Sequence, residues 1–349
     1  MSISKIQLTN FRNFKKKTLI FSEGTTVIIG PNASGKTNIL ESMFVLSTGK
    51  SFRAKVEEEV VNYKADIARV KGKVDGLILE AVLTRGLLDI GNGKPEKIAR
   101  KKLIVAGVSK RLIDFAGNFK VVVFGPWDMD LVTESPSIRR KFLDYVISQV
   151  DREYRRSSLS YEKGLRQRNK LLLRTREEGL SRLQLSFWDR LLIKNGDYIS
   201  QKRREFIEFV NLHKSLASNH NTLEYDKSAI SEARLEQYAE EEVAAATTLV
   251  GPHRDDFIFK MGKRDLSRYG SRGQQRMAIL WLKLAELSFI EEKTNERPTL
   301  LLDDILSELD DEHRDIVMSV VKNRQTIITT ADPHHLANLR KVEKIRLNN

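Results

Sequence analysis

The chain contains no cysteine, which excludes disulfides, thiolate metal sites and cysteine nucleophiles together. No apolar run approaches the roughly 20 residues that span a bilayer. Met1 to Phe14 alternate apolar and polar side chains up to Lys15-Lys16-Lys17, without the apolar core of a signal peptide. Neither membrane insertion nor secretion is expected, and the predicted location is the cytoplasm. Internal repeats, low-complexity linkers and long heptads are also missing, and the last of these excludes an extended coiled coil. Negative charge is the scarcer sign, with 47 Asp and Glu against 60 Lys and Arg and a formal net charge of +13. Such a balance favours a polyanionic partner, because neutralising phosphates releases their condensed counterions. The excess is clustered: from Arg152 to Arg176 nine Lys or Arg stand against Glu153 and Glu162 alone.

What is present suits a large globular protein. A length of 349 residues exceeds the ~250–300 at which single cores stop growing, so two lobes are expected. Lys5 to Phe11 alternates like a half-buried strand, and Thr25 to Gly30 is a β-branched run ending in glycine. Ile39, Leu40, Met43 and Phe44 then recur at helical spacing, predicting a helix over 38–48. From about Val70 to Val123 the chain reads as short strands separated by turns such as Gly91-Asn92-Gly93.

After Pro136 the texture changes. Phe142, Leu143, Val146, Ile147, Val150 and Tyr154 predict one helical arm running to about Arg176, and a second helix follows from about Arg182 to Leu216. Beyond Thr247 strands and helices alternate again, with helices over 277–291 and 312–321 and strands over 299–302 and 325–330. That alternation implies a parallel sheet. The expected architecture is α/β, with residues 1–134 and 246–349 forming one nucleotide-binding lobe and residues 135–245 an inserted helical lobe.

Gly30-Pro31-Asn32-Ala33-Ser34-Gly35-Lys36-Thr37 satisfies the phosphate-loop pattern between a predicted strand and a predicted helix. Its glycines let backbone N–H groups converge on phosphates, the helix N-terminus adds its dipole, and Lys36 supplies charge for the β- and γ-phosphates. The ligand class is therefore ATP with Mg2+, the ion being held by the Thr37 hydroxyl. Leu300-Leu301-Leu302-Asp303-Asp304 is an apolar strand ending in two carboxylates, the acidic half of the same site. Asp303 is expected at the metal and Asp304 at the attacking water; helix capping is the alternative for Asp304.

Tyr269-Gly270-Ser271-Arg272-Gly273-Gln274-Gln275-Arg276 precedes a helix about thirty residues ahead of the acidic strand, and it resembles an ABC signature. The resemblance implies that Ser271, Gly273 and Gln274 bind the γ-phosphate held by an opposite subunit, so that hydrolysis requires a dimer. Ser307-Glu308-Leu309-Asp310 resembles the D-loop, with a capping box as the other reading. At the switch position, where ABC proteins usually carry histidine, stand Thr329 and Thr330, with His334 and His335 slightly later. Thr330 is the candidate carried forward. No clean glutamine loop exists, although Phe124 to Asp128 lies where one is expected.

The whole chain resembles the RecF family. Asn10-Phe11-Arg12-Asn13-Phe14 is similar to its N-terminal pattern, which implies that Arg12 lies near the nucleotide. Asn38, Leu40 and Glu41, and Ser51-Phe52-Arg53 beyond, fit as well. So do Pro126-Trp127-Asp128, Leu131-Val132, Ser135-Pro136-Ser137, Arg139-Arg140, Phe142-Leu143-Asp144 and Gly251-Pro252-His253-Arg254-Asp255-Asp256. Two departures stand out: Glu241-Glu242-Val243 lacks an expected arginine, and Trp127 replaces an acidic residue.

The resemblance implies an ABC-type P-loop ATPase head with an inserted helical lobe. It implies a weak, DNA-stimulated ATPase that dimerises on ATP, binds double-stranded and gapped DNA, and works with RecO and RecR to load recombinase in DNA repair. Candidate DNA contacts are Arg139, Arg140, Arg155, Arg156, Lys163 and Arg166. For Arg139 and Arg140 the sequence leaves DNA, a partner head and core packing open; for His253 and Arg254 a structural pairing competes with a nucleotide or interface role. An ABC transporter subunit or another SMC-like chromosome protein would share the nucleotide motifs.

Overall fold

Two kinds of strand are distinguished by their burial. The computed structural model describes residues 1–88, 96–213, 221–307, 309, 311–321, 323–332 and 342–347; the Gly91-Asn92-Gly93 turn lies outside them. In Val121–Phe124, Thr299–Asp303 and Thr326–Thr330 every residue is buried, as in parallel strands covered on both faces. With Thr25–Ile29 and Glu343–Arg346 they form a five-stranded sheet in the order Val121–Phe124, Thr299–Asp303, Thr326–Thr330, Thr25–Ile29, Glu343–Arg346. All neighbours are parallel. The register pairs Asp303 with Thr329 and Thr330 with Ile29. The acidic strand, its neighbour and the phosphate-loop strand therefore end together, at the carboxyl edge where open parallel sheets bind ligands.

The second sheet is antiparallel and six-stranded, in the order Phe14–Ile20, Ile3–Phe11, Ile67–Val74, Leu77–Thr84, Lys101–Val105, Val108–Lys110. Burial alternates along its central strands Ile3–Phe11 and Ile67–Val74. Ile6, Leu8, Val70 and Leu79 are buried, each contributing about 1.5–3 kcal/mol when fully withdrawn from water. This inner face packs on helix Lys36–Thr48 so closely that a Cβ at Gly72 would stand 2.5 Å from Leu46.

The chain divides into two compact units, Met1–Pro126 with Ile290–Asn349 and Trp127–Phe289. These boundaries differ from the expected division at 134 and 245. Residues 246–289 group with the helices, because Asp256–Met261 pairs with Asn221–Asp226 in a three-stranded sheet of the second unit.

The single helical arm expected after Pro136 is two helices, Pro136–Val150 and Arg152–Glu178. Asp151 breaks it with extended backbone and caps the second helix, accepting from the Tyr154 amide. One capping residue hardly disturbs the apolar spacing, so the period reads straight through it. The next helix is Ser186–Leu212; Leu216 lies outside the described residues. Gly164 lets the last two helices approach, since a Cβ there would meet Leu191 at 2.6 Å.

Candidate nucleotide-binding site

The phosphate loop leads from strand Thr25–Ile29 into helix Lys36–Thr48. Gly35 begins that helix at φ +98, and a Cβ on it would strike Phe14 and Asn13 at 2.6–2.7 Å, so only glycine fits. No side chain caps the helix and no acid stands in its first turn, which leaves its N–H groups and dipole for an anion. Pro31, Asn32 and Ala33 form the exposed lip of the loop, with Ala33 at φ 67. The Ser34 hydroxyl is buried and has no hydrogen-bond partner among the described residues. Lys36 folds over the loop, donating to the carbonyls of Gly30 at 2.7 Å and Pro31 at 2.9 Å. A phosphate oxygen is a stronger, charged acceptor for the same ammonium.

The acidic strand meets this loop directly. Thr37 Oγ1 donates to Asp303 Oδ2 at 2.6 Å, and Thr329 Oγ1 donates to Asp303 Oδ1 at 2.5 Å. A hydroxyl beside a carboxylate is the hard oxygen donor set that magnesium favours. Asp304 stands just past the strand in left-handed backbone, φ 52, a conformation that costs energy for a residue with a Cβ. Its amide holds that turn by donating to the Thr329 carbonyl at 3.1 Å and the Thr329 hydroxyl at 3.2 Å.

Thr329 is thus the threonine that touches the acidic strand. The candidate switch residue Thr330 instead spends its hydroxyl on its own turn, donating to the Asp332 carbonyl at 2.9 Å. Alternation along a strand explains the difference, because neighbouring side chains point to opposite faces. His334 and His335 lie outside the described residues. So does Asp310, a D-loop candidate; Ser307 closes the short turn Ile305–Ser307.

Arg12 lies in the turn between the first two strands with φ 52. Its guanidinium grips the fully buried Glu41 at 2.6 and 2.9 Å and donates to the Glu59 carbonyl at 2.7 Å. Next to it, Asn13 donates to the Ser34 carbonyl at 3.3 Å and accepts from Asn38 at 2.9 Å, while Arg53 donates to Asn38 at 3.0 Å. This turn clamps the phosphate loop from outside. Asn13 and Arg53 were legible only as parts of a family pattern, since nothing in their spacing announces the clamp.

In the second unit, Ser271 and Gln274 form a reciprocal cap. The Ser271 amide donates to the Gln274 side chain at 2.9 Å, and the Gln274 amide donates to Ser271 Oγ at 3.3 Å. This capping box starts helix Arg272–Thr294, five residues before the expected Met277. Ser271 and Gly273 are exposed. A Cβ at Gly273 would meet nothing nearer than Ser271 Oγ at 3.9 Å, so the chain's own packing does not require glycine there. Further along this helix, Lys283 holds Glu286 at 2.7 Å and Asp128 at 3.7 Å, all three buried. Burial pushes the Glu286 carboxyl up to about 7, against the pull of the Lys283 ammonium. The expected glutamine-loop segment ends in this cluster, and single-sequence reading gave no sign of Lys283 or Glu286.

The candidate DNA-contacting cations fare unequally. Arg139 is buried, forked onto Asp256 at 2.7 and 2.9 Å and donating to the Leu131 and Glu134 carbonyls. Core packing therefore claims it. Arg140 donates to the Asp255 carbonyl at 2.8 Å, and burial lowers its pKa. Arg155 donates to the Ser148 carbonyl at 2.5 Å. Arg156 pairs with Glu153 and Arg166 with Glu162 on the surface, and Lys163 is exposed.

Gly251-Pro252-His253-Arg254-Asp255-Asp256 is a structural knot. His253 Nε2 lies 3.0 Å from the Thr248 carbonyl and Nδ1 lies 2.8 Å from the Tyr161 hydroxyl. A carbonyl only accepts, so Nε2 carries the hydrogen and Nδ1 accepts from Tyr161. Burial lowers the His253 pKa to about 4. Asp255 is fully buried and takes hydrogen bonds from Tyr225, Arg203 and the Ser228 amide.

Comparison with known proteins agrees with this geometry. Residues 2–349 match the model of the RecF/RecN/SMC N terminal domain. The DNA replication and repair protein RecF of Herpetosiphon aurantiacus is 35% identical over 95% of this chain and 94% of the relative. That of Ligilactobacillus salivarius is 36% identical over 95% of this chain and 91% of the relative. The chain belongs to the RecF family.

Among solved structures, the recombination mediator protein RecF-ATPrS in the RecFOR pathway superposes with a TM-score of 0.84. It is 32% identical, covering 99% of this chain and 96% of that one. A RecF-ATP structure matches with the same score and identity over 97% of this chain and 93% of that one. Among the described residues no helix is long and apolar enough to cross a membrane.

Proposed function

We propose that this RecF-family chain is a weak, DNA-stimulated ATPase for DNA repair, which dimerises on ATP and binds double-stranded and gapped DNA. The observation that carries the reading is the junction of phosphate loop and acidic strand at Thr37 and Asp303. In this reading the loop amides and Lys36 bind the triphosphate, and the uncapped helix N-terminus adds its field. Arg12, Asn13 and Asn38 keep the loop in shape. Thr37 and Asp303 would hold magnesium, which would neutralise charge on the phosphates. Asp304 orients and deprotonates the attacking water, a role typically worth 10²–10⁴-fold in rate. Thr329 fixes Asp303 from behind and ties Asp304 into its turn.

Ser271 and Gly273 belong to a second copy's site. A capped helix start with an exposed hydroxyl and an unhindered glycine suits the γ-phosphate of a facing subunit, so nucleotide is bridged by two copies. By resemblance Ser307 and Asp310 are assigned to a D-loop that serves the partner's site. The RecFOR pathway of the solved relatives supports RecO and RecR as partners in loading recombinase. Turnover is slow because the output is a bound state and not a released product.

Sedimentation of wild-type and Ser271→Arg protein, each with and without ATP and duplex DNA, tests the reading. An ATP-induced dimer is expected for the wild type alone. A wild-type protein that stays monomeric with saturating ATP and duplex overturns it.

A further inference from the structure

The outward face of the six-stranded antiparallel sheet is unusually basic, and its register shows how regularly the cations stand. Thr9 pairs with Lys16 and Arg69, Gln7 with Thr18 and Lys71, and Lys5 with Ile20 and Lys73. Val82 stands opposite both Arg69 and Lys102. Paired residues share a face, so Lys5, Lys16, Arg69, Lys71, Lys73 and Lys102 rise from the same side of the sheet. Lys71 is half-buried and the other five are exposed. One carboxylate joins them on these strands, Glu80, and it already pairs with Arg69 at 2.9 Å.

We propose that this sheet face is a docking surface for the phosphate backbone of duplex DNA. The proposal rests on the DNA-binding reading above and relocates the contact from the helices to the sheet. Successive outward residues of a strand stand ~6.6–6.8 Å apart and neighbouring strands ~4.8 Å. Arg69, Lys71 and Lys73 thus form a straight row of charge, and the reach from Lys16 to Lys102 is about 19 Å by the same spacing. That is about the length of five to six base-pair steps at ~3.4 Å each.

Lys5 and Lys73 stand directly opposite each other. Like charges in that position destabilise a sheet, and a polyanion laid across them removes the repulsion. The residues between the cations are Thr9, Gln7 and Thr18, which bond to phosphate and sugar without reading sequence. The aromatic pair that continues this register, Phe11 and Phe14, lies at the strand ends with Phe11 fully buried and Phe14 half-buried, so no exposed aromatic platform for single-stranded bases stands among these cations.

The helices offer less, because Arg139 is buried and Arg156 and Arg166 already hold carboxylates. An acidic protein could meet the same charge, but the column Arg69, Lys71 and Lys73 holds no apolar anchor for it, and Val82 and Ile104 beside it are half-buried. Ile20 and Ile78 lie on the outermost row.

Equilibrium binding of a labelled duplex to the full-length chain with ATP and magnesium, across 50–200 mM salt, tests the proposal. The variant Lys5→Gln/Lys71→Gln/Lys73→Gln is compared with Arg156→Gln/Lys163→Gln/Arg166→Gln. The sheet variant is expected to bind at least about tenfold more weakly. Its plot of log affinity against log salt should be shallower by about 2.7, or ~0.9 for each lost phosphate contact. The helix variant should bind as the wild type does. ATP-induced dimerisation of the sheet variant should be unchanged and its Tm equal or higher, which separates lost docking from misfolding.

If the triple change does unfold the chain, Lys71→Gln alone should lower the slope by ~0.9. Wild-type affinity and slope in the folded sheet variants overturn the proposal, as does equal loss in both triple variants or preference for phosphatidylserine vesicles over duplex. Failure of the wild type to bind duplex at all overturns the DNA-binding reading itself, and so is a different result.

Discussion

Thr37 and Asp303 lie 266 positions apart in the sequence, yet the hydroxyl of one donates to the carboxylate of the other at 2.6 Å. That bond joins the phosphate loop to the acidic strand, and in the proposed reading the metal and the γ-phosphate sit beside it. Asp303→Ala should leave Thr37 without its acceptor and weaken magnesium-dependent nucleotide binding by about tenfold or more, as lost charged hydrogen bonds of ~1.5–3 kcal/mol imply. Titration of a fluorescent ATP analogue with and without magnesium measures this. Equal affinities for variant and wild type in magnesium would place the ion elsewhere.

Lys36 and Asp304 should separate binding from hydrolysis. Lys36→Met is expected to lose nucleotide binding in the same titration. Asp304→Asn should retain ATP, slow turnover by about 10²–10⁴-fold and prolong the ATP dimer in sedimentation. Loss of ATP binding by Asp304→Asn would contradict the division of labour between the two aspartates.

The second unit contains a fully buried ion pair. Arg168 and Glu242 are both fully buried and 2.7 Å apart, and Arg168 also meets Asp189 at 2.6 Å and Thr248 at 2.9 Å. Arg168→Met should cost about 3–5 kcal/mol, because Glu242 is left charged in the interior. Arg168→Met/Glu242→Met should recover much of that loss. Urea denaturation followed by tryptophan fluorescence measures both, and a single variant within about 0.5 kcal/mol of wild type, the range of an ordinary surface substitution, would show that the pair is dispensable.

His253 gives stability a pH dependence of definite sign. Its pKa is about 4 in the folded chain against 6.5 for the ordinary side chain, so below pH 6.5 the unfolded state binds the extra proton. The contribution is fully present above pH 6.5 and is lost as pH falls to about 4, reaching an order of 3 kcal/mol. Apparent Tm should fall across that window in the wild type. His253→Asn should have a flatter profile between those limits, and identical slopes would assign the acid sensitivity to other groups.

The phosphate loop, the acidic strand and the parallel sheet were legible in the residues themselves. Strand and loop chemistry are local: β-branched runs, glycines and a lysine at fixed spacing declare themselves within ten residues. The resemblance carried the family and singled out Asn10 to Phe14, though as a segment near the nucleotide and not as a clamp on the loop. Other parts were hidden by the same locality. The break at Asp151 leaves the helical period intact, and the capping box at Ser271 moves a helix start that hydrophobic spacing places at Met277.

By itself, then, the sequence determined the nucleotide chemistry and the class of fold, because those depend on residue types at short spacings. Only the tertiary structure decided how charge is used. Arg139 and Arg168 count as surface cations in any tally of composition, yet both are buried against carboxylates. Lys5 and Lys73 look unremarkable 68 positions apart and stand side by side on an open sheet. Whether a charge is spent on the fold or left for a partner depends on pairing and burial, which contacts between distant segments fix.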